Sequence, residues 1–235
     1  MDETKAGPQF SLEHLPQGGA PNRNNLYFTA VMSQMAYSLE EHSGERFGGG
    51  ELSHFNFGIV RGLVLDSPSV LVIAFTGSQT WKDWLSNLDM RKVRTPFGGV
   101  HSGFMRSFHD IQHDVLPYIW TLSIVNKPIV ICGHSRGGAL AMLLAAILHH
   151  RRTPVHSVYT FCSPKVGGPD FAEYWQRTGI PLYPLVNGND VVPSLPPSSW
   201  GEWLRLVFYV IPLNLILVIP PMLLRRLFKR KPRDA

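Results

Sequence analysis

The segment that most constrains the fold is residues 128–141, which read P-I-V-I-C-G-H-S-R-G-G-A-L-A. Residues 129–132 form a continuous apolar run typical of a strand that is buried on both faces. The pattern G-x-S-x-G follows, with Gly133 and Gly137 flanking Ser135, and then an apolar stretch long enough for a buried helix. A strand, a Gly-flanked serine and a helix together predict a nucleophile elbow, the sharp turn that lifts a serine hydroxyl clear of a sheet.

A serine nucleophile also needs groups that stabilise the developing oxyanion. The helix after Ser135 would direct its positive end and its free N–H groups at that position. An alternative interpretation is structural, because a Gly-rich turn between a strand and a helix can serve close packing alone. The strand before the turn and the apolar helix after it favour the nucleophile.

The rest of the chain alternates helix-like and strand-like segments. Further helices are predicted over 26–39, 104–122 (bent near Pro117) and 171–177, further strands over 55–65, 70–75, 155–162 and 181–186, and a loop or hairpin tip over 40–54. Such alternation indicates an α/β fold with a largely parallel sheet flanked by helices. Ligands of these folds bind at the carboxyl ends of the strands.

Composition divides the 235 residues into three parts. Residues 1–25 are polar and rich in Gly, Pro and Asn and are expected to form a flexible arm, residues 26–203 carry the predicted domain, and residues 204–235 carry a hydrophobic segment and a basic tail. Residues 225–235 hold six basic side chains and one acidic side chain, and their net charge of +5 equals that of the whole chain. The domain itself is therefore neutral, which argues against nucleic-acid binding.

The first residues and the two cysteines both predict a cytoplasmic protein. The start of the chain lacks the basic region and apolar core of a secretory signal. Cys132 and Cys162 lie in strand-like apolar runs and are expected to be reduced core thiols rather than a disulfide.

Five motifs in order resemble the class 3 (fungal-lipase-like) family of triacylglycerol lipases. They are A-F-T-G-S-Q-T-W-K-D-W-L-S-N-L (74–88), V-H-S-G-F (100–104), G-H-S-R-G-G-A-L-A (133–141), F-C-S-P-K-V-G (161–167) and V-N-G-N-D-V-V-P-S-L-P-P (186–197). The resemblance runs from about residue 26 to residue 197. It implies an α/β-hydrolase fold, lipid ester substrates, and neither a metal nor an organic cofactor.

The resemblance also implies roles for individual residues. Ser135 matches the nucleophile, and Asp190, in a loop after the last predicted strand, matches the acid of a catalytic triad. Taken alone, Asp190 could also be a turn residue after Asn-Gly-Asn. Ser78 matches the oxyanion-hole residue, and the backbone N–H of Arg136 is the second expected donor.

The segment 79–88 matches the lid helix of the family. Its large apolar residues lie three to four positions apart, so one stripe could cover the site or meet lipid. They are Trp81, Trp84, Leu85 and Leu88. Packing in the core is an equally open interpretation for each tryptophan.

No histidine of this sequence stands where the family places its general base. The family's catalytic histidine follows the acid by several dozen residues, whereas His156 is the last of ten histidines here. Loss of one triad member typically lowers the rate of a serine hydrolase by ~10⁴–10⁶-fold. Three interpretations stay open: a weak or inactive hydrolase, a base supplied by His101 or by a partner's residue, or a truncated reading frame.

Other histidines have simpler interpretations. His134, beside the nucleophile, is expected to point away from it. His109 and His113 lie four residues apart on a predicted helix, a spacing that metal ligands can have. No acid or third ligand accompanies them, so they are interpreted as a solvated helix face and no metal site is predicted.

Residues 206–224 form an uncharged, apolar stretch of nineteen residues before the basic tail. Their length is near that of a bilayer span, but Pro212, Pro220 and Pro221 interrupt them. We therefore predict a hairpin or in-plane insertion that places residues 206–233 on the membrane surface, with ~1 kcal/mol of attraction per basic residue. A single span and apolar strands that complete the core are the alternatives.

These observations predict a membrane-associated serine ester hydrolase that acts on acyl esters of lipids. The alternative function belongs to another class. It is a catalytically impaired lipase-fold protein that binds lipid or a protein partner at the membrane.

Overall fold

The structure is a computed structural model that describes residues 22–42, 44–47, 49–78, 91–122, 127–188, 190 and 192–196. By internal contacts the chain divides into two units, Met1–Pro196 and Pro197–Ala235. All described residues belong to the first unit. The predicted lid helix, with Trp81, Trp84, Leu85 and Leu88, and the C-terminal segment 204–235 lie outside the described residues.

The described part of the chain contains six α-helices. They are α1 (Arg23–Met35), α2 (Leu39–His42), α3 (Met105–Asp110), α4 (Leu116–Thr121), α5 (Arg136–His150) and α6 (Pro169–Thr178). A π-helical turn, Ile111–Val115, joins α3 to α4. The single helix predicted over 104–122 is thus divided into α3, this turn and α4, and Pro117 lies in the first turn of α4, where its missing N–H is tolerated.

Nine strands form two sheets within the same residues. They are β1 (Arg46–Phe47), β2 (Gly50–Phe57), β3 (Val60–Asp66), β4 (Leu71–Phe75), β5 (Lys92–Thr95), β6 (Gly98–His101), β7 (Ile129–His134), β8 (Ser157–Phe161) and β9 (Leu182–Leu185). The large sheet has the order β1-β2-β3-β4-β7-β8-β9, and β5 pairs with β6 as a separate hairpin. Strands β4, β7, β8 and β9 are parallel, as predicted, and β1 to β4 form an antiparallel meander.

The strand predicted over 55–65 is wrong, because this stretch is a hairpin rather than one strand. It holds the end of β2 and most of β3, which pair from Phe57 opposite Val60 to Glu51 opposite Asp66. Gly58 takes the positive φ of 58° that the two-residue turn requires. In the segment 40–54, predicted as a loop or hairpin tip, β1 pairs with the start of β2 as a hairpin, with Phe47 opposite Gly50. The hairpin β5–β6 was not predicted, since the side chains of β5 are mostly exposed and give little hydrophobic pattern.

The sheet separates two apolar cores because successive side chains of a strand point to opposite faces. On one face, Ile73, Ile131 and Val158 pack with α5 and the segment 104–119. On the other face, Val72, Val130 and Tyr159 pack with α1. Cys132 lies in this second core, as predicted, whereas Cys162 follows β8 and is only partly buried, so the prediction of a core thiol is wrong for Cys162.

The parallel strands bring four strand ends to one edge of the sheet. Phe75 of β4 pairs with Gly133 of β7, and Phe161 of β8 pairs with His134 on one side and with Leu185 of β9 on the other. The loops that follow these strands carry the predicted site residues. In the residues that the structure covers, no helix combines the length and the apolar composition needed to cross a bilayer.

Candidate active site

Ser135 occupies the sharp turn between β7 and α5. Its backbone has φ 53° and ψ −127°, a conformation that costs a residue other than glycine roughly 1–3 kcal/mol. Its N–H donates to the carbonyl of Phe161 at 2.8 Å, and its carbonyl accepts from the N–H of Gly138 at 2.9 Å. Among the described residues, none is hydrogen-bonded to its hydroxyl. The turn therefore fixes the backbone of Ser135, which is a buried residue.

The glycines around Ser135 are required by close backbone contacts. A Cβ on Gly133 would overlap the backbone of Gly137, and a Cβ on Gly137 would overlap the carbonyl of Phe75. Helix α5 thus begins in direct contact with the ends of β4 and β7. This contact places the N-terminus of α5 directly behind Ser135.

The loop that carries Ser78 is held on both sides. The hydroxyl of Thr76 donates to the carbonyl of Ala36 at 2.6 Å, and the N–H of Thr76 donates to the carbonyl of Arg61 at 2.9 Å. Gly77 packs against the Tyr37 hydroxyl with no room for a side chain. Ser78 lines the same cavity as Arg136, a space of about 480 Å³. The two residues predicted to stabilise an oxyanion therefore border one cavity.

Arg136 is the first residue of α5 and is 9% exposed. One guanidinium nitrogen donates to the carbonyl of Ile59 at 2.9 Å, and the other donates to Ser107 Oγ at 3.0 Å. Burial lowers the pKa of Arg136. The Asp110 carboxylate opposes this shift, and the Arg61 cation adds to it. The side chain ties α5 to the β2–β3 turn and to α3.

Asp190 lies in the loop after β9. Its N–H donates to the carbonyl of Asn187 at 3.1 Å, and its carboxylate accepts from the N–H of Val192 at 2.9 Å. The carboxylate also accepts from the thiol of Cys162, whose pKa is raised mainly by burial and then by this contact. Asp190 is thus held beside the end of β8.

His134 connects Asp190 to the elbow. Its Nδ1 is hydrogen-bonded to the hydroxyl of Tyr37 at 2.8 Å, so its ring lies against the segment that follows α1. Burial lowers the pKa of His134, and the negative charge of Asp190 opposes that shift. The carboxylate therefore acts electrostatically on the residue that immediately precedes Ser135.

A family model described as class 3 lipase matches residues 72–200, more than half of the chain. The chain belongs to the class 3 lipase family. A lipase of Rhizomucor miehei is 35% identical over 145 residues, which are 58% of this chain and 40% of that protein. A secreted mono- and diacylglycerol lipase of Fusarium solani is 31% identical over 137 residues, 56% of this chain and 40% of that protein. The chain thus spans about two fifths of the length of these relatives.

Solved structures confirm the α/β-hydrolase fold. The Rhizomucor miehei lipase in complex with its propeptide superposes with a TM-score of 0.65 at 26% identity, over 83% of this chain and 75% of that one. The predicted mostly parallel sheet flanked by helices is therefore confirmed as the fold of this chain.

Three other histidines lie on β6, on α3 and on the π-helical turn. His101 is buried at the end of β6, where its N–H donates to the carbonyl of Val166 at 3.0 Å. The exposed rings of His109 and His113 lie 4.4 Å apart. In the described ranges, no group of three or more His, Cys, Asp or Glu side chains could hold a metal ion.

The fold brings four of the predicted site residues to one edge of the sheet: Ser78, Ser135, Arg136 and Asp190. Two neighbours of these residues were not predicted, Tyr37 and Cys162. Cys162 could have been found, since it stands in a motif directly after a predicted strand. Tyr37 lies 97 residues from its partner His134, so no local pattern could have found it.

Proposed function

We propose that this class 3 lipase is a serine ester hydrolase that cleaves acyl esters of lipids, with Ser135 as the nucleophile. The observation that carries the proposal is the positive-φ turn at Ser135, held between the end of β7 and the start of α5. Strained backbone of this kind persists where the surrounding structure enforces it, and such sites are often functional. Family membership supports the reaction class.

In the proposed reaction Ser135 Oγ attacks the ester carbonyl carbon and loses its proton to a general base. The carbonyl oxygen becomes an oxyanion, to which the N–H of Arg136 and the hydroxyl of Ser78 would donate. Collapse of this intermediate expels the alcohol, which takes up the proton, and leaves an acyl ester on Ser135. Water then attacks the acyl ester in the same way and releases the carboxylic acid.

Asp190 is the proposed acid that orients the base. Its support is the position after β9, on the same edge as Ser135. We propose that the base is His101, a residue of a partner, or a histidine outside this sequence. Fluorophosphonate labelling of Ser135, described next, distinguishes His101 from the other two candidates.

The test of the nucleophile is labelling by a fluorophosphonate, which reacts with activated serines. The wild-type chain is expected to be labelled, and Ser135→Ala is expected to abolish labelling without changing the far-UV circular dichroism. Loss of labelling in folded His101→Ala would assign the base to His101. A folded wild-type chain that is not labelled would contradict hydrolase activity.

One observation favours a second function. No histidine follows Asp190 in this sequence, so a lipase-fold protein that binds lipid or a protein partner without turnover is the alternative. Binding of a short-chain lipid by a folded chain that the fluorophosphonate does not label would support this alternative.

We also propose that the protein acts at a membrane surface on the cytoplasmic side. The support is the composition of residues 206–233, an uncharged apolar stretch and a basic tail, together with the apolar residues Trp81, Trp84, Leu85 and Leu88. Carbonate extraction of membranes is the test, with full-length protein compared with protein that lacks residues 204–235. Unchanged partitioning after the deletion would contradict the anchor.

A further inference from the structure

Two cavities adjoin each other beside the predicted oxyanion residues. The first, of about 480 Å³, is lined by two arginines, and we call it the basic cavity. The second, of about 260 Å³, is lined by two glutamates, and we call it the acidic cavity. Asn56, Arg61 and Thr76 line both, so the cavities share a wall. A ligand with one positive and one negative group could place one group in each cavity.

The antiparallel meander explains why the basic cavity lies at the edge of the site. β3 runs antiparallel to β4, so its first residues lie beside the last residues of β4. Arg61 stands directly opposite Asn56 in the β2–β3 pair, and its carbonyl accepts from the N–H of Thr76 at 2.9 Å. Ser78 and Arg136 complete the lining, which places the basic cavity next to the proposed oxyanion hole.

The charges of the basic cavity favour an anion. Two donors of the Arg136 guanidinium are used by Ile59 and Ser107, and a guanidinium has five. For Arg61, the described residues supply neither an ion pair nor a hydrogen bond to the guanidinium. Arg61 is close enough to Arg136 to lower the pKa of that residue, and the Asp110 carboxylate opposes this shift. The basic cavity is therefore lined by two guanidinium groups, whose fork geometry suits phosphate.

The acidic cavity has the opposite character. Glu40 and Glu41 of α2 line it together with Tyr37 and His54, and the shared Arg61 is its one arginine or lysine. Neither glutamate lies within ion-pair distance of Arg61 or of another cation of the described ranges. Two carboxylates beside an aromatic ring favour a cationic group, such as an ammonium.

We propose that the two cavities bind the headgroup of a zwitterionic glycerophospholipid, with the phosphate in the basic cavity and the amine in the acidic cavity. The two charges of such a headgroup are joined by a two-carbon linker, which suits cavities that share one wall. The proposal rests on the proposed function, because the position beside Ser78 and Arg136 makes the headgroup part of the ester substrate. It names the substrate class as phospholipids rather than neutral glycerides.

The test measures binding, so that it does not depend on turnover. Calorimetric titration uses the full-length Ser135→Ala chain with four soluble ligands. They are dihexanoylphosphatidylcholine, dihexanoylphosphatidate, dihexanoylglycerol and inorganic phosphate, each below its micelle concentration where it forms micelles. Dihexanoylphosphatidylcholine is expected to bind most tightly. Absence of fluorophosphonate labelling in the wild-type chain would contradict the hydrolase and leave this measurement intact.

Substitutions test the phosphate interaction and the amine interaction separately. Arg61→Gln is expected to weaken the binding of both phospholipids about tenfold, since a charge-assisted hydrogen bond is lost. The affinity for dihexanoylglycerol should not change. Arg61→Lys should retain most of the affinity for phosphatidate, which distinguishes lost charge from lost fold. The double variant Glu40→Gln/Glu41→Gln should weaken the binding of phosphatidylcholine but not that of phosphatidate. The matched controls Arg177→Gln and Glu173→Gln change exposed charges of α6 and should have no effect.

Three results would overturn the proposal. Unchanged phospholipid affinity in Arg61→Gln would remove the phosphate site. Equal weakening of phosphatidylcholine and phosphatidate by the glutamate variant would remove the amine site. Arg61-dependent binding of inorganic phosphate as tight as that of phosphatidylcholine would show a site for free phosphate rather than for a headgroup.

Discussion

At the scale of single residues, Ser135 combines an unfavourable backbone with the position expected of a nucleophile. Its φ of 53° is one that glycine adopts without strain. The neighbouring glycines relieve side-chain overlap rather than backbone strain, because neither Gly133 nor Gly137 has a positive φ. The turn therefore retains strain at the one position where glycine would remove both the strain and the hydroxyl.

Substituting this serine tests the strain directly. Ser135→Gly is expected to be about 1 kcal/mol more stable than Ser135→Ala, because alanine keeps the strained φ and glycine relieves it. Urea denaturation of the two variants measures the difference. Equal stability would mean that the turn stores no strain at Ser135.

His134 predicts a pH dependence of stability. Its pKa in the folded protein is lowered, chiefly by burial, below its ordinary value of 6.5. As the pH falls through 6.5 the unfolded chain binds a proton before the folded chain does, so this residue's contribution to stability is lost below that pH and is fully present above it. Chemical denaturation between pH 8 and pH 5 should therefore show a steeper loss of stability for wild type than for His134→Gln.

Asp190→Asn provides the complementary measurement for His134. Removal of the carboxylate takes away the charge that raises the pKa of His134, so the imidazole should titrate at a lower pH than in the wild-type protein. Proton NMR of the histidine ring follows this titration. An unchanged or raised pKa would contradict the electrostatic contact between Asp190 and His134.

At the scale of elements, the side chain of Arg136 joins three of them. It connects the start of α5 to the β2–β3 turn through Ile59 and to α3 through Ser107. The buried Ser107 would lose a charged donor if Arg136 were removed. The β2–β3 turn would likewise lose its connection to the helix that begins at the elbow.

A double-mutant cycle measures this connection. Arg136→Leu is expected to destabilise the protein by about 2 kcal/mol, because it leaves the buried Ser107 hydroxyl and the partly buried Ile59 carbonyl without this donor, and Ser107→Ala by about 1 kcal/mol. The two effects should fall short of additivity by about 1 kcal/mol in urea denaturation, since they remove the same hydrogen bond. Additive effects would show that the bond contributes no stability.

The hairpin β2–β3 shows why local pattern failed at this scale. Phe55, Phe57, Ile59 and Val60 read as one apolar strand, and Gly58 alone marks the turn. The same single turn places Arg61 beside Ser78 and Arg136 and so creates the basic cavity. Because the turn at Gly58 was not predicted, the sequence did not indicate that Arg61 would line the basic cavity.

At the scale of the whole molecule, Cys132 is completely buried. Its thiol lies in the core between the sheet and α1, and burial raises the pKa of this thiol to about 12. A reagent that needs the thiolate can reach it only when the core opens.

Alkylation of Cys132 should therefore report global unfolding. In Cys162→Ser protein, iodoacetamide is expected to leave Cys132 unmodified under native conditions and to modify it across the urea unfolding transition. Mass spectrometry of the peptide that contains Cys132 follows the reaction. Modification well below the unfolding midpoint would mean that this core opens locally.

The amino-acid sequence by itself determined the elbow, the order of strands and helices around it, and the family. These features depend on local periodicity and on motifs of a few adjacent residues, such as the apolar run before Ser135 and the glycines around it. Strands β4, β7, β8 and β9 were predicted for this reason. The positions of Ser78, Arg136 and Asp190 after strand ends were predicted for the same reason.

Only the tertiary structure decided which distant side chains meet. Tyr37 reaches His134, Asp190 acts on the same imidazole from the loop after β9, and Arg61 shares a cavity with Arg136. Each of these contacts joins residues that are more than fifty positions apart. Sequence periodicity states which face of an element is apolar, whereas contacts across the sheet edge depend on how the elements pack.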